Sequence, residues 1–376
     1  MKILVDGNIT AARNIFQPHG EVIRMDGRQI RQCHLEAVDA LVIRSVTRVN
    51  AELLNHTPVR FVGTTTIGTD HLDTTWLDEQ GITWASAPGC NADSAAQYTL
   101  AMIWLAFERR GLELAGRSAG IIGKGNVGSR VMRLLDVLGV QTVANDPPLC
   151  DAGEPGLASL EEALAQDIVC LHVPLVTGGP YPTRHLVHAR SLAKMRPEAL
   201  LVNTARGAVV EGAALKDRLS RGQLVAALDV WPDEPALDAE LVDAALVATP
   251  HVAGYSDDGK YNGARQIYQA FCRWAGEAPR PLTAMPGGNR TLVIASERNA
   301  VSQALEAACF VDRHDQAMRN LARLPPDAIP IEFDRLRRQY PSRRDFHAWR
   351  VEGAKPSEEK RLQQLGFSIA GTLTDN

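Results

Sequence analysis

Ala119-Gly120-Ile121-Ile122-Gly123-Lys124-Gly125-Asn126-Val127-Gly128 decides the fold. Its first four residues have the length and branching of a buried strand, and from Val127 to Leu138 the apolar residues recur at helical spacing, so the glycines fall on a strand-to-helix turn. A dinucleotide pyrophosphate rests at such a turn. Gly123 permits the tight bend, Gly125 leaves room for phosphates, Gly128 lets helix and strand pack closely, and the helix N-terminus offers free N–H groups to an anion. A second strand, Gln141-Thr142-Val143-Ala144, ends near Asp146, 18 residues beyond Gly128, where an acid accepts ribose hydroxyls and repels a 2′-phosphate. The expected cofactor is therefore NAD rather than NADP, held by Gly123, Gly125, Asn126, Val127, Gly128 and Asp146. A bare GxGxxG also occurs in structural turns. Strand, helix, second strand and acid together make it a cofactor site.

Further predicted strands are Ile168-Leu171, Ala199-Asn203, Leu224-Leu228 and Leu246-Ala248, separated by helical stretches such as Leu160-Leu164 and Ala213-Ser220. This alternation predicts an α/β fold with a doubly wound parallel sheet, in which ligands bind beyond the carboxyl ends of the strands. The polar and turn residues follow strands: Gly123, Asp146, His172-Val173-Pro174, Arg206, Asp229 and His251.

Arg206, Glu234 and His251 are the residue types that hydride chemistry needs. Oxidising a secondary alcohol takes a base for the hydroxyl proton, a group that orients the base, and a cation that fixes the substrate and polarises the incipient carbonyl. A planar guanidinium grips a carboxylate through two parallel bonds, so Arg206 points to a 2-hydroxy acid. A glutamate bonded to an imidazole favours its protonated form and sets its orientation. Singly, each residue also has a plain reading: a surface ion pair, a solvated turn residue before Pro235, a polar residue beside Pro250.

The segments Asn203-Thr204-Ala205-Arg206-Gly207, Ala227-Leu228-Asp229-Val230-Trp231-Pro232-Asp233-Glu234-Pro235 and Thr249-Pro250-His251-Val252-Ala253-Gly254 resemble the signatures of the D-isomer-specific 2-hydroxyacid dehydrogenases. The likeness runs over roughly residues 1 to 280. It implies that Arg206, Glu234 and His251 are catalytic, that Asp229 lies by the nicotinamide carboxamide, and that Val173, Pro174, Thr204, Ala205 and Gly254 complete the cofactor contacts.

Ser45-Val46-Thr47-Arg48-Val49-Asn50, Thr66-Ile67-Gly68-Thr69-Asp70-His71, Ala87-Pro88-Gly89-Cys90-Asn91-Ala92, Asp146-Pro147-Pro148 and Gly254-Tyr255 resemble one branch of that family, which oxidises a phosphorylated four-carbon 2-hydroxy acid on a route to pyridoxal phosphate. The phosphoglycerate branch usually reads Gly-x-Gly-x-Asp-Asn-Ile-Asp at the second segment. The resemblance implies that Ser45, Thr66 and Tyr255 contact substrate. Ser45 and Thr66 also follow apolar strands, where they could simply cap the next element. Arg44 and Arg48 flank Ser45 and are candidates for facing the substrate phosphate. The alternatives are another D-2-hydroxy acid as substrate, or an NAD-sensing regulator on the same fold.

The chain has 376 residues, 45% of them hydrophobic, which is enough for more than one core. Residues 1-95 plus 258-280 are expected to form a discontinuous, flavodoxin-like α/β substrate domain, 96-257 the Rossmann NAD-binding domain, and 281-376 a small α+β domain. By the resemblance the last is a dimerisation domain and the active site lies in the cleft between the first two. The composition changes after Pro279-Arg280-Pro281 and Pro286-Gly287-Gly288. A net charge of −4 gives no global attraction to nucleic acid. Arg335, Arg337, Arg338, Arg343 and Arg344 interleave with Phe333, Tyr340, Phe346 and Trp349, but acids are mixed in, which favours a packing or subunit-contact role. Six scattered cysteines without C-x-x-C spacing argue against zinc and disulfides, so no metal is expected. The chain opens on a strand, Lys2-Asp6, without signal-peptide character, and its most apolar helix, near Tyr98 to Phe107, is too short for a membrane. A cytoplasmic homodimer acting on a small phosphorylated acid, with neither nucleic acid nor membrane as partner, is expected.

Overall fold

The computed structural model describes residues 1–9, 12–282, 285, 288–295 and 299–370. Pro286 and Gly287 of the expected boundary lie outside the described residues. Contacts divide the chain into two compact units, Met1–Asn91 with Ser256–Gly288, and Ala92–Tyr255 with Asn289–Asn376.

The first unit is built on strands β1 (Lys2–Asp6), β2 (Glu21–Met25), β3 (Ala40–Ile43), β4 (Phe61–Thr64) and β5 (Thr83–Ala85), in the order β2-β1-β3-β4-β5. All pairings are parallel, with Ile3 opposite Ala40 and Ala40 opposite Phe61. This is the flavodoxin-like order. Side chains alternate between the sheet's faces: Ile3, Val5, Val42 and Phe61 belong to one core, Leu4, Leu41, Ile43 and Val62 to another. The helix Asp257–Ala275 covers the first face with Ile267, Tyr268 and Phe271. Ser256 caps that helix by accepting from Gly259 N–H, and Gly276 ends it in the left-handed conformation.

The second unit holds β6 (Ser118–Ile122), β7 (Gln141–Asn145), β8 (Ile168–Leu171), β9 (Leu200–Asn203), β10 (Val225–Leu228) and β11 (Val247–Ala248), all parallel, in the order β11-β10-β9-β8-β6-β7. The strand order reverses beside β6, which places the crevice of this sheet at the glycine fingerprint. Alternate residues again face two cores; Ile121, Cys170 and Val202 meet helices Ala92–Arg109 and Gly128–Val137 on one side.

Strands β12 (Arg290–Val293), β13 (Trp349–Glu352) and β14 (Ser368–Ile369) form a third parallel sheet within this second unit. The expected 281-376 domain thus carries its own sheet, yet Ala304, Leu305, Ala308 and Phe346 share one core with Leu100, Ile103, Leu134 and Val140 of the Rossmann half. Some of the tail arginines and aromatics pack inside this unit and others pair at its surface. Phe333 and Phe346 are fully buried and Arg343 nearly so, while Arg335 and Arg338 pair with Glu332 and Asp334. Among the described residues no His, Cys, Asp and Glu cluster could hold a metal, and no helix is long and apolar enough to cross a membrane.

Candidate active site

Three neighbouring strands deliver the polar residues, with Glu234 on the segment that follows β10. Arg206 follows β9, Asp229 follows β10 and His251 follows β11, each at the carboxyl end of its strand. The Arg206 and Glu234 turns are pressed together at Gly207, where a Cβ would lie 1.8 Å from the Trp231 carbonyl oxygen. No other residue allows that approach. Asn203 fixes the Arg206 turn from below, accepting from Ala205 N–H at 3.1 Å and donating to the Arg206 carbonyl at 3.0 Å. The guanidinium donates to the Ala205 carbonyl at 2.8 Å, and among the described residues no carboxylate pairs with it. It is a positive fork with donors left for an incoming carboxylate.

Glu234 is held by its Oε1, which accepts from Trp231 N–H at 2.7 Å, and offers Oε2 to His251 Nδ1 at 2.6 Å. With Nδ1–H donating to the carboxylate, the neutral tautomer leaves Nε2 free to accept a proton. Nε2 has no partner among the described residues, and the His251 side chain is 29% exposed. His251 adopts φ +56°, a left-handed conformation that costs a residue with a Cβ on the order of 1–2 kcal/mol.

The loop's other bonds hold that conformation. Asp229, 1% exposed, accepts from Thr249 Oγ1 at 2.6 Å and from the N–H groups of Val252 and Ala253, each at 2.9 Å. A buried carboxylate needs such donors. Trp231 Nε1 donates to the Thr249 carbonyl at 3.0 Å. Thr249 and Trp231 sit inside recognisable segments, yet neither carries a chemical signal that marks it as a support.

The fingerprint fits a dinucleotide. Gly123 has φ +95° and its Cβ position meets the His172 backbone at 2.9 Å; a Cβ on Gly128 would lie 2.0 Å from the Gly123 carbonyl oxygen. Gly125 faces open space, the room a pyrophosphate needs. Asn126 and Val127 lead into the helix Gly128–Val137, and Val127 is its N-cap. Asp146 accepts from Lys124 N–H at 2.8 Å and from Leu149 N–H at 3.2 Å, so it ties the fingerprint to the following helix and retains lone pairs for ribose hydroxyls. Val173 and Pro174 follow β8, and Thr204 and Ala205 follow β9; Thr204 Oγ1 lies 2.9 Å from Thr99 Oγ1. Gly254 lies in the His251 loop.

Tyr255 closes that loop. Its hydroxyl accepts from Arg337 at 3.2 Å and its ring stands edge-on to Tyr340 at 5.6 Å. In the first unit Ser45 is exposed on the turn after β3, while Thr66 Oγ1 donates to the Gly68 carbonyl at 3.1 Å and lies 2.7 Å from Thr64 Oγ1. Arg44, a candidate phosphate cation, is committed to the fully buried Asp6, with Nε 2.9 Å from Oδ2. Arg48 is exposed and has no ion pair among the described residues.

Comparison with known proteins finds relatives over nearly the whole chain. Residues 91–253 match the family model described as the D-isomer specific 2-hydroxyacid dehydrogenase NAD binding domain, and residues 291–366 match one described as a domain of unknown function. The chain is 43% identical to an erythronate-4-phosphate dehydrogenase of Stutzerimonas stutzeri, covering 98% of this chain and 100% of that one. An erythronate-4-phosphate dehydrogenase of Hahella chejuensis is 40% identical with the same coverage. Among solved structures, the TT0316 protein of Thermus thermophilus is 27% identical with a TM-score of 0.64, covering 74% of this chain and 98% of that one. A D-lactate dehydrogenase from Aquifex aeolicus, complexed with NAD and lactic acid, shares the fold at 23% identity and a TM-score of 0.60, covering 73% of this chain and 95% of its own.

Proposed function

We propose, for a chain that belongs to the erythronate-4-phosphate dehydrogenases of the D-isomer-specific 2-hydroxyacid dehydrogenase family, that it oxidises 4-phospho-D-erythronate at C2 to (R)-3-hydroxy-2-oxo-4-phosphobutanoate, a step of pyridoxal phosphate synthesis. Bound NAD supplies the hydride acceptor. The observation that carries the reading is the Glu234–His251 pair at 2.6 Å, with Nε2 of the ring left open.

Arg206 grips the substrate carboxylate with its unpaired fork and draws charge from the carbonyl that forms at C2. His251 Nε2 accepts the C2 hydroxyl proton, and Glu234, fixed by Trp231 N–H, compensates the imidazolium. Gly123, Gly125, Asn126, Val127 and Gly128 cradle the pyrophosphate, and Asp146 receives the ribose hydroxyls. Val173, Pro174, Thr204, Ala205, Asp229 and Gly254 are the remaining cofactor contacts, and Ser45, Thr66 and Tyr255 the substrate contacts, by their place in the matching segments. With Arg44 held by Asp6, Arg48 is the better cation of that loop for the phosphate.

Three further readings belong to this proposal: a substrate domain at 1-95 plus 258-280 and a Rossmann domain at 96-257, a homodimer assembled through 281-376, and residence in the cytoplasm. The test is NADH formation at 340 nm with a panel of phosphorylated and unphosphorylated 2-hydroxy acids and with NAD and NADP in parallel. Fastest turnover on 4-phosphoerythronate with NAD is expected. A clear preference for 3-phosphoglycerate, or ligand-dependent association without turnover, rejects the substrate or the enzyme.

A further inference from the structure

The loop 248–255 is held at both ends by side chains from the C-terminal segment. Ala248 lies on β11, the edge of the sheet, and its N–H donates to Asp315 at 2.7 Å. Asp315 is 2% exposed and is flanked by Arg319 at 2.8 Å and Arg109 at 2.9 Å. At the far end Arg343, 1% exposed, donates from Nε to the Tyr255 carbonyl at 2.7 Å. One of its terminal nitrogens reaches the carbonyls of Ala253 at 2.7 Å and Ser94 at 3.1 Å. The guanidinium also lies over the Tyr98 ring at 5.1 Å. Arg337 holds the Tyr255 hydroxyl.

Between these anchors His251 takes its left-handed conformation, which persists only where the surroundings over-determine it. Asp229 fixes the amides of Val252 and Ala253 from the Rossmann side, but the carbonyls of Ala253 and Tyr255 are bonded from the tail. A guanidinium suits that task because it is permanently charged, weakly hydrated and projects several donors in one plane.

We propose that the segment matching the domain of unknown function is a positioning clamp for the hydride-transfer loop, with Arg343 and Asp315 fixing the path of 248–255 and so the aim of His251. The inference rests on the dehydrogenase reading and adds to it a role in turnover for the C-terminal segment.

The test uses full-length R343K, which keeps the charge but cannot bond three carbonyls as a fork. NAD titration counts binding-competent sites, and kcat is expressed per competent site, well below the variant's Tm. Expected is an unchanged NAD affinity with kcat lower by ~10²-fold, the scale on which small misplacements act. R343M, without the charge, is expected to be slower still. A competent R343K with wild-type kcat overturns the clamp. If R343K fails to bind NAD, the half-buried Arg337 carries the test: R337M should raise KM for the hydroxy acid by ~5-fold, one lost hydrogen bond, at unchanged NAD affinity. Wild-type KM and kcat in that variant overturn the clamp as well. Should the wild type prefer another 2-hydroxy acid, the substrate reading fails alone and the same variants are assayed with that acid; a wild type inert on all of them overturns both.

Discussion

His251 has one ring nitrogen committed to Glu234 and the other open, the asymmetry that the proposed acid–base role requires. His251→Asn keeps a polar side chain without a transferable proton, so NAD binding should survive while kcat falls by ~10²–10⁴-fold, the usual worth of a positioned proton acceptor. Stopped-flow and steady-state rates on the same preparation check this, and a variant with near-native kcat would remove His251 from the proton path. Arg206 is distinguished by what it lacks, a carboxylate partner among the described residues. Arg206→Lys should therefore lower kcat/KM by roughly 10²-fold through loss of the two-pronged grip, with Tm close to wild type, because no ion pair of the fold is broken. Equal kinetics for the two cations would show that charge alone acts there. Arg44 illustrates the converse: the sequence places it beside Ser45 as a free cation, whereas the fold engages it with a buried Asp6, a partner 38 positions away that no local pattern announces.

Legibility at the scale of elements followed burial. The four-residue runs Ile168–Leu171 and Leu200–Asn203 are buried at every position and read directly as strands. β2 and β5 lie at the edges of their sheet, and their partly exposed Glu21–Met25 and Thr83–Ala85 show no continuous apolar run. β12 and β13 mix charged with apolar residues and were equally silent. The candidate site is legible because its residues sit in contiguous segments with fixed chemistry; its proposed supports, Asp315 and Arg343, act across long sequence separations and leave no such mark. Asp146 joins both scales, since it caps the helix Pro147–Asp151 and is the proposed acceptor of the ribose hydroxyls. Asp146→Ala loses both functions, whereas Asp146→Asn withdraws the charge and keeps a single acceptor oxygen for the two N–H groups, of Lys124 and Leu149, that the carboxylate serves. Both variants should therefore narrow the preference for NAD over NADP and lower Tm, Asp146→Ala through the loss of about 1 kcal/mol of capping and Asp146→Asn through the loss of one of the two backbone bonds. Thermal melts and the ratio of kcat/KM for the two cofactors separate the outcomes; an unaltered ratio in Asp146→Asn would deny the carboxylate its part in cofactor choice.

For the whole molecule, two buried imidazoles contribute to the response to acid. Burial pushes His172 down to about 4, and burial, with Arg343 and Arg313 adding, pushes His314 down to about 3, from an ordinary 6.5. Below pH 6.5 the unfolded chain takes up protons on these rings while the native chain does not, so their contribution is complete above that pH and is lost as pH falls toward the depressed values. Each ring contributes a slope of up to about 1.4 kcal/mol per pH unit inside its window. Tm should drop between pH 6.5 and about 4.5, and more shallowly in His314→Gln, as melts across that range would show. The C-terminal segment raises the larger question of what depends on it. As an independent dimerisation domain it could be removed to leave a folded monomer, but Ala304, Leu305, Ala308 and Phe346 are buried in one core with Leu100, Ile103, Leu134 and Val140 of the NAD-binding half. Ending the chain at Gly288 would strip that face of the core and leave Ala248 N–H and the Ala253 and Tyr255 carbonyls without their partners. Exposed apolar surface and orphaned backbone groups act in the same direction. The truncated chain should aggregate or melt without cooperativity, and calorimetry with sedimentation would show it. A soluble truncated monomer with wild-type Tm and wild-type NAD affinity would instead establish that the tail serves assembly alone and that the loop carrying His251 holds its shape without it.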